Sequence, residues 1–215
     1  VTTLMEERIR AGACFLYPSG MRVNAFVSLP IRAVNISEKE VQQLPSLGVR
    51  TKFKKAAITF LLDVPELLNV VQCWDNRVRP VLPPQSPWFA PISPLTGELD
   101  PNCHEPSQHR DAGFRHDLQE WLAKVGGTYH SPHKFRRGHA VFCLTNAVDY
   151  ADMEAAMANL MHENMAMTEK YMRLKRAEIK KRITRLGKTA HPDMENSEFI
   201  DELETFLARL KGANP

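Results

Sequence analysis

His133 and Arg136 stand three residues apart in the segment Ser131-Pro132-His133-Lys134-Phe135-Arg136-Arg137-Gly138-His139. At a helix start the two share one face and can grip one anion, helped by the amides that a helix N-terminus leaves unpaired. Twenty-six residues after Arg136 comes His162, in Leu160-Met161-His162, and nine residues later comes Tyr171. His139, a turn beyond Arg136, is expected to pack or to touch backbone, and Arg137 points to another side of the helix. Cys103, His104, His109 and His116 invite a zinc reading, but their spacing fits no closed Cys/His site, so no metal is expected. Met153, Met157, Met161, Met165 and Met167 recur at helical spacing and read as core filling.

These residues need elements to hold them. Thr3-x-x-Glu6 is a capping box opening a helix that Pro18-Ser19-Gly20 ends. A short apolar stretch over residues 23–29 stops at Pro30. Residues 48–62 contain two β-prone runs around a basic turn and predict a hairpin. Pro65 starts a helix with Leu67, Leu68, Val71 and Trp74 on one side. Eight of the fifteen prolines fall within residues 80–106, an irregular loop anchored by Trp88-Phe89. Helices are predicted over about 112–125, 136–147 and 150–161, with another beginning near Thr168.

Charge divides the end of the chain. Residues 170–188 hold nine Lys/Arg against the single acid Glu178, whereas residues 189–215 hold six acids against Arg209 and Lys211. In the latter, Phe199, Ile200, Leu203, Phe206, Leu207 and Leu210 form an apolar stripe on an acidic helix. The overall charge of +3 is thus a cancellation and only a mild hint of an anionic partner. The 215 residues, 43% hydrophobic and 25% charged, exclude wholesale disorder and leave room for a real core. No window approaches a membrane span, and the first residues lack a secretory pattern. Four scattered cysteines suit a reducing cytoplasm, so the expectation is a cytoplasmic protein without membrane contact.

The order of these residues resembles the catalytic domain of the tyrosine recombinases, the phage-integrase family. That family has His-x-x-Arg near a helix start, a Leu-Gly-His-like step and a nucleophilic Tyr nine residues on; here these are His133, Arg136, His162 and Tyr171, with Met161 replacing the usual Gly. The family's first arginine box is similar to Phe15-Leu16-Tyr17-Pro18-Ser19-Gly20-Met21-Arg22, which makes Arg22 the first arginine. The hairpin lysine falls in Thr51-Lys52-Phe53-Lys54-Lys55, with Lys52 the first match and Lys54 the second. The chain departs from the pattern at Ala25, where the family usually has Glu or Asp. The resemblance covers roughly residues 1–185.

What the resemblance implies is chemically coherent. A Tyr hydroxyl, ordinarily titrating near 10, is phenolate in only about one molecule in a thousand at neutral pH and needs a base and a cationic setting to attack. By resemblance His133 is that base, Arg22 and Arg136 hold the non-bridging phosphate oxygens, and His162 adds a hydrogen bond. Lys52 protonates the leaving 5′ oxygen. The product is a 3′-phosphotyrosyl link, religation needs no ATP, and no metal or other cofactor is implied because the arginines supply the charge. Lys54, Lys55, Lys134, Arg137, Arg173 and Lys175 are expected to lie along the DNA backbone.

The expectation is therefore an α+β fold, mostly helical with a small antiparallel sheet, acting as a site-specific recombinase or integrase of a mobile genetic element. Residues 1–188 would form the catalytic domain, with residues 80–110 a Pro-rich insertion and 189–215 an acidic tail. The family's separate N-terminal DNA-gripping domain is expected to be absent from this chain. The implied partners are double-stranded DNA at a specific site and further copies of the chain, four in all, assembled on it. Two rivals remain open: a non-catalytic DNA-binding or assembly protein of the same fold, suggested by Ala25, and a type IB topoisomerase with the same Arg-Lys-Arg-His-Tyr chemistry.

Overall fold

A computed structural model describes residues 3–162 and Lys180. The chain divides into two compact units, Val1–Met172 and Arg173–Pro215. The helix expected near Thr168, the basic run from Arg173 and the acidic tail all lie outside the described residues, Lys180 excepted.

Helix α1 (Leu4–Ser19) opens on a complete capping box: the Thr3 hydroxyl accepts from Glu6 N–H, and Thr3 N–H donates to the Glu6 carboxylate at 2.8 Å. It ends where Gly20 takes φ 59° and returns its N–H to Leu16 O at 3.1 Å. Gly20 is required there twice over, because a Cβ at this position would sit 2.7 Å from the His139 ring. Buried on most sides, α1 packs against α3 (Pro65–Val78), α4 (Arg110–Lys124) and α5 (Pro132–Asn146). The short α2 (Val23–Val27) places Phe26 in the core, where its ring lies 5.5 Å from Phe114 and 5.6 Å from Phe89. Helix α6 (Tyr150–Asn159) follows α5 and packs on it.

The Pro-rich segment holds to this core by the two aromatics that the sequence marks. Trp88 and Phe89 are buried, with the Trp88 ring 4.7 Å from that of Phe15 and tilted 43° to it. Trp88 donates its indole N–H to Asp75 and accepts at its carbonyl from Trp74, both at 2.9 Å. Backbone bonds Trp88 N–H to Leu29 O and Ile31 N–H to Ser86 O complete the anchor, so a loop rich in residues without N–H groups still pairs its buried ones.

Three antiparallel strands run in the order β1-β2-β3: β1 (Val34–Asn35), β2 (Glu40–Gln43) and β3 (Ala57–Phe60). Val41 faces Val34 on one side and Thr59 on the other, and both Val41 and Thr59 are fully buried. The hairpin predicted over residues 48–62 is thus drawn differently. Its second strand is β3, but its first is Glu-Val-Gln-Gln, which carries one apolar residue and gives no strand signal of its own. Residues 44–56 form the connection, shaped by Pro45, by Gly48 at φ 90°, and by Phe53 and Lys54 at φ 59° and 52°. Helix α5 also begins earlier than the predicted residue 136, at Pro132, whose fixed φ suits the first helical position.

The architecture is α+β, with six α-helices and a small antiparallel sheet among the described residues. No helix among them is long and apolar enough to cross a membrane.

Candidate active site

Arg136 projects from the second turn of α5 and is buried, with 4% of its surface exposed. Its guanidinium donates to Gly20 O at 2.6 Å and to Leu160 O at 2.5 Å, and meets His162 Nε2 at 3.1 Å. Gly20 and Leu160 are the C-caps of α1 and α6, where helices leave carbonyls without partners and carry partial negative charge. One side chain therefore satisfies two helix ends that lie 140 residues apart in sequence.

His162 arrives by a related device. After Leu160, Met161 takes φ 52°, Met161 N–H bonds Ala158 O at 2.8 Å, and His162 N–H bonds Met157 O at 3.0 Å. This pair of bonds is a Schellman motif with Met161 at the left-handed position, and it turns the chain so that His162 meets Arg136. Here lies the physical sense of a glycine at this step in the resemblance above: a residue without Cβ takes φ near +50° at little cost. Met161 is half-buried, so beyond any packing it holds a backbone position that helical spacing did not reveal.

Arginine has no acceptor, so His162 Nε2 must be the acceptor in the pair and the ring proton lies on Nδ1. Burial, then the cationic Arg136, Arg22 and Lys55, hold the His162 pKa down at about 4. His162 is neutral at neutral pH. His139 is fully buried, its Nδ1 on Tyr17 O at 2.9 Å and its Nε2 3.4 Å from the Asn159 amide; burial lowers its pKa as well. It touches backbone and structure rather than the cleft.

A cleft of about 650 Å³ is lined by Arg22, Lys52, His133 and Arg136, together with Asn24, Arg50, Gln108 and Arg115. Arg22 enters as the N-cap of α2, and Lys52 from the connection between β2 and β3. His133 sits in the first turn of α5, exposed and one turn before Arg136. Five cations thus face the cleft, Arg115 in an ion pair with Asp111 at 2.8 Å, and no carboxylate lines it among the described residues. Arg50 and Arg115 were not foreseen. Arg50 stands two residues before Lys52 in the same basic run, a signal that was available, whereas Arg115 is brought in by the packing of α4.

Of the other expected site residues, Lys55 is close enough to depress the His162 pKa. Lys54 does not line the cleft. Lys134 and Arg137 border a separate groove with Tyr17, His130 and Phe135. Tyr171, Arg173 and Lys175 lie outside the described residues. Ala25 is buried in the core, beside the cleft residue Asn24. Among the described residues no cluster of three or more His, Cys, Asp or Glu is arranged to hold a metal ion.

The fold matches solved structures. The crystal structure of XerA recombinase aligns over 86% of this chain and 62% of its own, at 17% identity and a TM-score of 0.55. XerH site-specific recombinase bound to its difH substrate aligns over 82% of this chain and 46% of its own, at 13% identity and a TM-score of 0.52. The Tn1549 transposon integrase in complex with transposon right end DNA aligns over 82% and 58%, at 12% identity and a TM-score of 0.52. At these identities the likeness is one of fold, and the chain spans about three fifths of XerA and under half of XerH. No curated protein gives a significant match. Residues 2–178, most of the chain and including all the residues lining the cleft, match the model of the phage integrase family, and the protein belongs to that family.

Proposed function

We propose that this chain is the catalytic part of a site-specific DNA recombinase, cutting and rejoining strands through a 3′-phosphotyrosyl intermediate. The observation that carries the reading is the cleft that Arg22, Arg50, Lys52, Arg115 and Arg136 line together with His133. A phosphodiester brings one negative charge, and its pentacoordinate transition state concentrates more on the non-bridging oxygens. Fixed guanidiniums match that charge, and losing one such donor costs roughly 3 to 4 kcal/mol of transition-state stabilisation.

In the proposed reaction the Tyr171 oxygen attacks phosphorus as His133 takes its proton. The bond to the 5′ oxygen breaks, and that oxygen takes a proton from Lys52. Arg22 and Arg136 hold the non-bridging oxygens, and the neutral His162 donates from Nδ1. The link formed is again a phosphodiester, so the reverse attack by a 5′ hydroxyl rejoins strands without an energy source. The partner is double-stranded DNA, in keeping with the difH substrate held by XerH and the transposon DNA held by the Tn1549 integrase. Lys54, Lys55, Lys134, Arg137, Arg173 and Lys175 would follow its backbone, several copies of the protein would assemble on it, and the setting would be the cytoplasm.

The test is a duplex from the end junction of the protein's own mobile element, nicked beside the cleavage position so that the short strand escapes. The protein should form a covalent adduct that survives denaturation, and Tyr171→Phe should form none. No adduct from the protein in its full natural length on that junction overturns the enzyme reading in favour of a DNA-binding or assembly role. Relaxation of plasmid lacking any such site would instead favour the topoisomerase rival.

A further inference from the structure

Lys52 sits on a connection of thirteen residues between β2 and β3, a length that by itself leaves a lysine tip poorly defined relative to Arg22. Two sets of hydrogen bonds define it. Arg50 N–H donates to the Ser28 hydroxyl at 2.8 Å, and that hydroxyl in turn bonds Asn24 O at 2.8 Å and Ala25 O at 3.1 Å at the end of α2. The Arg50 guanidinium crosses to the other wall, donating to Ser107 O at 2.9 Å and to Pro106 O. Beyond Arg50 the Thr51 hydroxyl donates to Lys55 O at 2.6 Å, closing a five-residue turn around Lys52. Ser28 is buried and α2 begins at Arg22, so the chain of bonds runs from the helix of the first arginine to the residue two before the lysine.

We infer that Arg50 is a positioning residue for the leaving-group acid: with Ser28 it sets Lys52 against Arg22, although neither Arg50 nor Ser28 belongs to the Arg-Lys-His-Arg-His-Tyr set. The inference rests on the reading of Lys52 as that acid. Both bonds of Arg50 to the Pro-rich segment are to backbone carbonyls, which fix a guanidinium in place without neutralising it. The device therefore orients the connection while preserving the charge of the cleft. Displacement of a reacting group by about 1 Å is enough to cost about 100-fold in rate, so loss of this junction acts on the acid step even where the fold survives.

The experiment compares single-turnover cleavage of two suicide duplexes, one with the natural phosphate and one with sulfur in place of the bridging 5′ oxygen. With oxygen, the P–O bond breaks and the leaving oxygen takes a proton from Lys52. With sulfur, the P–S bond breaks and a thiolate leaves unprotonated, so no acid is needed. Lys52→Ala should cleave the oxygen substrate at least 100-fold slower than the parent and the sulfur substrate within about threefold of it. Ser28→Ala, which keeps the Arg50 guanidinium in the cleft, should follow the same pattern at roughly 10- to 100-fold, and Arg50→Ala, which also removes a cleft cation, should slow both substrates, the oxygen one more. Thermal melts of each variant monitor folding. The absence of any oxygen-specific loss in Ser28→Ala and Arg50→Ala, with Lys52→Ala rescued by sulfur, overturns the positioning role and leaves the acid assignment standing. Failure of sulfur to rescue Lys52→Ala removes the acid assignment itself, and this inference with it.

Discussion

Replacing Met161 by glycine and, separately, by alanine should reverse the usual order of helix stabilities. Both variants delete the half-buried Met side chain, so packing loss is common to them and cancels in the comparison. What differs is the cost of φ 52° at the left-handed position of the Schellman turn. A Cβ there costs about 1–2 kcal/mol, against which glycine gives up about 0.5–1 kcal/mol of extra chain entropy on folding. The net expectation is that Met161→Gly is more stable than Met161→Ala by about 1 kcal/mol, some 2–4 °C in melting temperature for a chain of this size. Urea melts followed by tryptophan fluorescence suit the purpose, because all three tryptophans lie within the described residues of the first unit. Ala158, exposed in the last turn of α6, supplies the control: Ala158→Gly should cost up to about 1 kcal/mol. If Met161→Ala proves as stable as Met161→Gly, the turn does not hold in solution and the account of how His162 reaches Arg136 fails.

Arg136→Ala should destabilise by about 2–4 kcal/mol in equilibrium unfolding, since it orphans the Gly20 and Leu160 carbonyls at once, and Arg136→Lys should recover only part of this because an ammonium cannot span both. Gly20→Ala should cost at least about 2 kcal/mol by the same assay, combining a left-handed φ with a Cβ contact of 2.7 Å to His139. Folding stability should fall on acidification between about pH 6.5 and 4: the His162 pKa is about 4 in the folded chain against 6.5 as a free side chain, so its contribution is complete above pH 6.5 and is lost as pH drops toward 4. Allowing for its partial contact with water, the loss is on the order of 1–2 kcal/mol, and His162→Asn should flatten that part of the stability profile.

The readable parts of this sequence were those decided by local chemistry. The Thr3 capping box, the Gly20 stop and the proline at the head of α3 each declare themselves within a few residues, and Trp88-Phe89 stand out as apolar anchors in a proline-rich stretch. Elements decided by distant partners were not readable in this way. Strand β2 is legible only beside β3, because Val41 is its one apolar residue and its glutamines show no alternation. Arg50 reads as one more cation until the carbonyls of Pro106 and Ser107, more than fifty residues away, come to its guanidinium. Asn159 is similar: its amide brackets both backbone groups of Phe60, at 2.6 and 3.0 Å, and ties β3 to the segment that carries His162. Arg136 was legible as an anion ligand but not as the bolt between two helix ends.

That double use explains what orients Arg136. Burial of a guanidinium is costly unless its donors are met. The C-termini of α1 and α6 meet Arg136, each supplying a carbonyl and the equivalent of roughly half a negative charge at the end of a helix. Arg136 is thereby oriented by two backbone carbonyls. Arg50 repeats the pattern on the opposite wall with the carbonyls of Pro106 and Ser107. Backbone carbonyls thus orient both arginines, and Ala25, buried beside the cleft residue Asn24, adds no side-chain charge to that wall.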